Sequence, residues 1–246
     1  MPFTPAHPAI ILPLLKVKPE RVSATALVIG SMSPDFEYFF KMSVSSQYGH
    51  TLLGIVYFDI PVTIAVALLF HQVVKNNLIA NLPVFFQIRF QNLLRLDFKQ
   101  SLKTHLVPII ISAGIGALSH ICWDAFTHND GYFAQRIFWY KHVVIPFDGV
   151  RYPLFYGLQQ ISTFTGLAIV LVYILFIRPQ QKFRLNQPSV MYWLLFLAVV
   201  AIVLFLRFGF TDEKHDVGNF VVSCITSILI ALVICGFVKF RNRSTL

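Results

Sequence analysis

Long uncharged runs dominate the pattern of this chain. Crossing the ~30 Å hydrocarbon core of a bilayer takes roughly 20 apolar residues in helical form, and five stretches reach that length: 52–74, 104–126, 158–177, 190–208 and 217–239. The last three are unbroken. The first carries Asp59 and Pro61, and the second His105, His120 and Asp124; in a bilayer such groups turn toward the bundle interior or water. The fold class this predicts is all-α, an integral membrane helical bundle of about five transmembrane helices with short N-terminal helices before them. Residues 1–50 read as an extended start broken by Pro5, Pro8 and Pro13, a short helix near 22–31, and a Ser-Pro-Asp turn followed by the aromatic run FEYFF at 36–40. With Lys16 as its first basic residue, the start lacks the basic n-region of a signal peptide and is expected to persist in the mature protein. No internal repeat or low-complexity linker interrupts the chain, so a single domain over 1–246 is expected.

Composition removes whole function classes. Residues of the set AVILMFWYC make up 56%, charged residues only 13%, and the mean hydropathy is +0.67. Soluble chains average about 25% charged, so a water-soluble globule is excluded, and the shortage of charge excludes disorder as well. Three cysteines, an odd number inside apolar stretches, make no disulfide framework or metal knuckle. The net charge of +9 sorts by side. Five spans put 1–50, 127–157 and 209–216 on one face with nine of the 20 basic residues and nearly all the acids, while 75–103, 178–189 and the tail hold the other eleven with Asp97 alone against them. By the positive-inside rule the basic face is cytoplasmic and the acidic face outward. The charge is thereby explained by topology, and no nucleic-acid partner is expected.

Six of the eight histidines fall on the acidic face: His7, His50, His120, His128, His142 and His215. The sharpest local feature is SHICWDAFTH at 119–128. Four residues apart on a helix, His120 and Asp124 share one face and can clamp one Zn²⁺-like ion. His128 lies about 80° around from His120 and ~12 Å along the axis; it serves a second metal, or the same one only if the helix ends at Thr127. His50 opens the first span on the same side, Asp35 sits in the SPD turn, and His7 is held between prolines in FTPAHPA. Each has a plainer reading: an interfacial anchor for His50, a cap or turn for Asp35, a turn for His7. Asp59 reads as interhelical glue, and His142, Asp148, Arg151, His215 and Asp216 as solvated loop residues.

The motifs MPFTPAHPA, GSMSPDFEYF, YGHTLLG and GALSHICWDAFTH together resemble an uncharacterised family of bacterial multi-pass membrane proteins, the domain-of-unknown-function family 4184. More distantly the chain is similar to bacterial membrane-bound metal-dependent hydrolases, whose N-terminal His, Pro-Asp turn, His-opened membrane helix and Ser-His-x-x-x-Asp helix correspond to His7, Asp35, His50, His120 and Asp124. The ligand order is also similar to that of zinc-dependent phospholipases C and the related single-strand nucleases. That resemblance implies one or two divalent ions, zinc above all, with Asp35 both a ligand and the catalytic proton acceptor and with His128 on a second metal. The soluble enzymes use a further Glu, whereas here none follows His128 until Glu213. The resulting expectation is a metal-dependent hydrolase of the bacterial inner membrane acting on a phosphoester, such as a lipid headgroup, with residues 1–131 as the metal-site half and 132–246 as anchoring helices. The alternative is a non-enzymatic transporter or scaffold with a structural polar or metal site.

Overall fold

A computed structural model describes residues 3–18, 20–179, 187–210 and 217–240. His215 and Asp216 lie outside the described residues. The helices used below are α1 (Ala24–Gly30), α2 (Phe36–Lys41), α3 (Ile55–Asn81), α4 (Val84–Arg95), α5 (Phe98–Thr104), α6 (Leu106–Thr127), α7 (Leu154–Phe176), α8 (Val190–Phe208) and α9 (Val217–Phe237). Helices α3, α6, α7, α8 and α9 are long and apolar enough to span a membrane, and they coincide with the five predicted spans to within a few residues, apart from the longer C-terminal end of α3. Among the described residues the fold is all-α apart from one short hairpin, β1 (Val144–Phe147) with β2 (Val150–Pro153), turned through Asp148 and Gly149 at positive φ.

Contacts group the chain into two compact units, interleaved in sequence. The first comprises 1–35, 47–64 and 105–176. Its N-terminal segment winds through a 3-10 turn (Thr4–Ala6) and one α-turn (Pro8–Ile11), which the prolines start but cannot extend. Ser23 caps α1 by accepting from the Ala26 N–H at 3.3 Å. The packing of α1 on α6 sets the geometry of everything that follows. The buried stripe of α6 runs Ile109, Ser112, Ala113, Gly116, Ala117, His120, Asp124, Thr127. Its small members let the backbones touch, as small-xxx-small stripes do in membranes. A Cβ on Gly116 would lie 2.5 Å from the Leu27 carbonyl oxygen. The stripe that admits α1 therefore carries His120 and Asp124 onto the same interface two turns later.

Helix α3 opens in a π-helical turn, Ile55–Asp59. Pro61 has no N–H to donate, and a wider turn just before it absorbs the broken ladder. Asp59, expected as interhelical glue, is fully buried at the end of that turn.

The second unit comprises 36–46, 65–104 and 177–246. Here α9 is tied in by polar groups at its ends and middle. Thr226 Oγ1 donates to the Phe39 carbonyl at 2.9 Å, and Asn77 Nδ2 reaches the carbonyls of Cys235, Gly236 and Val238 at 2.9–3.0 Å. Asn81 does the same for α8, accepting from the Ser189 N–H at 2.8 Å. Residues 75–103, which hydropathy leaves as a loop, are largely helical: α3 runs on to Asn81 and is followed by α4 and α5. Charges every few residues hide these helices from a search for apolar runs.

Candidate metal centre

All six sequence-predicted residues lie in the first unit, and the structure brings them together. Asp35 ends the 3-10 turn Ser33–Asp35, inside which the Ser33 hydroxyl donates to the Gly30 carbonyl at 2.9 Å. His50 is pressed toward it by a backbone crossing: a Cβ on Gly49 would stand 2.5 Å from the Pro34 carbonyl oxygen, a distance only glycine permits. The helix α6 does end at Thr127. His128 takes an extended conformation (φ −101°, ψ 151°), and its ring folds back over Asp124. This is the condition under which the second histidine of SHICWDAFTH joins His120 and Asp124.

The geometry centres on two carboxylates. Asp35 Oδ1 lies 3.4 Å from His50 Nε2 and 3.5 Å from His120 Nε2. Asp124 Oδ2 lies 3.6 Å and 3.2 Å from the same two nitrogens. The other oxygen of Asp124 faces His7 Nε2 at 3.6 Å and His128 Nδ1 at 3.4 Å. The rings of His7 and His120 stack at 3.7 Å between centroids, with the Trp123 indole edge-on to His7 at 5.5 Å.

Most of these separations are long for hydrogen bonds, and several of the inward-facing atoms make none. His7 Nδ1 and Nε2, His120 Nε2, Asp35 Oδ1 and both Asp124 oxygens are buried without a hydrogen-bond partner among the described residues. Leaving so many polar atoms bare costs several kcal/mol each in an apolar interior. The separations do match another arrangement. Ligand atoms bound at ~2.0–2.1 Å to one tetrahedral ion stand ~3.3 Å from each other, and the four His–Asp separations among Asp35, Asp124, His50 and His120 fall at 3.2–3.6 Å. Two overlapping triads, His7 with Asp35 and His120, and His50 with His120 and Asp124, hold one ligand atom from each residue within 4.8 Å of one another. The donor set fits a divalent metal.

Two further groups, outside the predicted set, orient the candidate ligands. Thr4 Oγ1 donates to Asp35 Oδ2 at 2.5 Å, leaving Oδ1 for the cluster. His120 Nδ1 donates to the Ser31 carbonyl at 2.8 Å, which fixes the tautomer and leaves the Nε2 lone pair facing the carboxylates. A Thr three residues before His7 is a signal available in sequence; the Ser31 carbonyl leaves none.

Protonation follows the same logic. Burial pushes the His7 imidazole down to about 3, with the neighbouring His120 adding to the effect, so His7 is neutral and ready to ligate. Burial alone would raise the Asp35 carboxyl, but His120 and His50 beside it hold it below the usual carboxylate range. For His50, burial is outweighed by Asp124 and Asp35, and its pKa rises above the usual 6.5.

His142 stands apart from the cluster, exposed and stacked on Phe138 at 3.9 Å. The sequence matches the domain of unknown function DUF4184 over residues 1–237. The chain belongs to that family. No curated protein and no solved structure matches it.

Proposed function

We propose that this DUF4184 protein is a membrane-embedded, divalent-metal-dependent hydrolase of phosphoesters, with a lipid headgroup as substrate. The observation that supports it is the convergence of His7, Asp35, His50, His120, Asp124 and His128 with most of their inward atoms unsatisfied. Six ligating residues exceed the four that a single structural zinc uses, which leaves room for one or two ions with open positions. Bound there, zinc would lower the pKa of a coordinated water to near 7 and polarise a phosphoryl oxygen.

The protein's own part is positioning and proton handling. Asp35, ionised and held by Thr4, is placed to take the proton from an attacking water. His7 and His120, fully buried, fix the inner wall. His50 and His128 keep about a fifth of their side-chain surface open, so a headgroup would enter past them. Leu52 and Leu53, 70–75% exposed just after His50, and the exposed Tyr132 after His128 offer an apolar approach by lateral diffusion in the bilayer. The order of residue types His7, Asp35, His50, His120 and Asp124, which resembles the ligand order of metal-dependent membrane hydrolases and phospholipases C, supports the same reading. On the sidedness of Lys and Arg, the site faces outward from a bacterial inner membrane; a cysteine placed at Asp130 should then label with an impermeant reagent in intact cells, and one at Lys103 should not.

The rival is a transporter or scaffold whose metal only locks helices. Purified protein separates the two. A hydrolase should carry one or two equivalents of metal, release phosphate ester products from phospholipid in micelles, and lose turnover in Asp35→Asn. Metal without turnover on any phospholipid class would favour the scaffold, and no stoichiometric metal in wild type would sink both metal readings.

A further inference from the structure

The second unit contains a cluster of charge unconnected with the metal ligands. Near the C-terminal end of α3, Lys75 is buried, 5% exposed, although it carries a flexible cation. Its Nζ donates to the Leu96 carbonyl at 2.5 Å and stands 3.2 Å from His71 Nδ1. His71 is itself buried and stacks on Phe98 at 5.3 Å. These groups wall a cleft of ≈200 Å³, whose rim carries the exposed Arg95 and Lys99. That volume is below the about 300–1,000 Å³ of sites that enclose a whole drug-sized ligand, and suits a small charged group such as a phosphate. The single acid in the lining, Asp97, accepts from the Gln100 N–H at 3.0 Å through Oδ1, capping α5, and keeps its charge beside Lys75 and His71. Three cations and a histidine therefore line the space against one carboxylate, which leaves it net positive.

What lies beside the cleft indicates where its ligand comes from. Helix α4 is built inside out. Its buried residues are Gln87 and Gln91, and Gln87 Nε2 caps the end of α3 by donating to the carbonyls of Leu82 at 2.7 Å and Ala80 at 3.3 Å. The outward side offers Val84 and Phe85, each 42% exposed, with the Arg89 guanidinium lying 3.7 Å over the Phe85 ring. An apolar outer face studded with Arg, continuous with the end of a membrane-length helix, has the character of a segment lying in the headgroup layer.

We propose that this cleft is a binding site for the phosphate of an anionic phospholipid, held by Lys75, Arg95 and Lys99 while α4 rests in the interface. Buried Lys75 supplies the fixed charge at the floor, and the two rim cations close over the headgroup.

Full-length protein is purified, delipidated and reloaded with phosphatidylglycerol or phosphatidylcholine, and retained lipid is counted by native mass spectrometry. Phosphatidylglycerol should be retained preferentially. Removing each rim cation, Arg95→Gln or Lys99→Gln, should weaken retention by roughly fivefold, the usual effect of one basic residue at an anionic surface. Lys75→Gln should abolish the preference, and because that residue also supports Leu96, the exposed rim variants carry the test if it fails to fold. Equal retention of the two lipids, or rim variants that bind as wild type, would overturn the proposal. Displacement of the lipid by millimolar inorganic phosphate, with no preference between lipid classes, would overturn the lipid source. Metal content should be unchanged in the rim variants, so the outcome is independent of the metal site.

Discussion

Thr4 shows how much of the centre depends on residues that never touch a metal. Its hydroxyl holds one oxygen of Asp35 at 2.5 Å and so aims the other. Thr4→Val keeps the shape and removes only that bond; it should weaken metal affinity by about 10–100-fold, the range for lost outer partners, in competition titrations against a chelator while the unfolding temperature of the metal-free protein changes little. Proton linkage gives a second test. Before metal binds, the His50 pKa is raised above 6.5 by Asp35 and Asp124, whereas His7 does not protonate until about pH 3. Metal must displace the His50 proton, so affinity should fall as pH drops through the raised His50 value, with His7 making no contribution in that window. Calorimetry in buffers of different ionisation enthalpy should register that proton release. Of the ligands, His120 with Asp124 was legible from spacing alone, because four residues on a helix fix a shared face. His7, Asp35 and His50 were legible only as an ordered set of motifs, since the contacts joining them to α6 lie about 70 residues or more apart in the chain. The role of the Ser31 carbonyl was not legible at all, because a backbone acceptor has no side-chain signature.

At the scale of elements, the close crossing of α1 and α6 is the support on which the site rests. Gly116 has Leu27 oxygen and Ser31 nitrogen at 2.5 and 2.6 Å from where a Cβ would be. Gly116→Ala must push α1 outward and draw Ser31 away from His120. A loss of about 1–3 kcal/mol is expected from overpacking, read as a lower unfolding temperature in detergent, together with reduced metal content, although the substituted side chain is a full turn from any ligand. The membrane helices themselves were legible because lipid demands long apolar runs. Helices α4 and α5 were not: in α4 both glutamines are buried, Gln87 capping carbonyls, while Val84 and Phe85 are exposed, which reverses the rule that hydropathy assumes.

On the scale of the whole molecule, a chain with only 13% charged residues places two buried carboxylates against the same pair of imidazoles, His50 and His120. A divalent cation would balance them, and its binding to the folded form alone would add about 2.7 kcal/mol of stability at a hundredfold excess over Kd. Chelation should therefore lower the unfolding temperature of wild type and leave that of Asp124→Asn unchanged, because that variant has already lost the residue facing all four histidines. Differential scanning fluorimetry with and without chelator distinguishes this from a purely hydrogen-bonded cluster, for which chelation would change nothing.

The ligands are strung from His7 to His128, on either side of α3, and this has a consequence for biogenesis. A nascent chain emerges from its start, so His7, Asp35 and His50 leave the ribosome well before α6 brings His120 and Asp124 to meet them. Until then the N-terminal segment lacks its partners on α6, and on our proposal a bound metal would strengthen a docking that Phe3 and Ala6 also make on Thr163 and Gly166 of α7. Chains synthesised in chelated medium should accordingly be cut by protease within the first 20 residues, and chains made with zinc should resist. Metal supply would then act as a quality-control checkpoint on the newly made protein, deciding which copies survive.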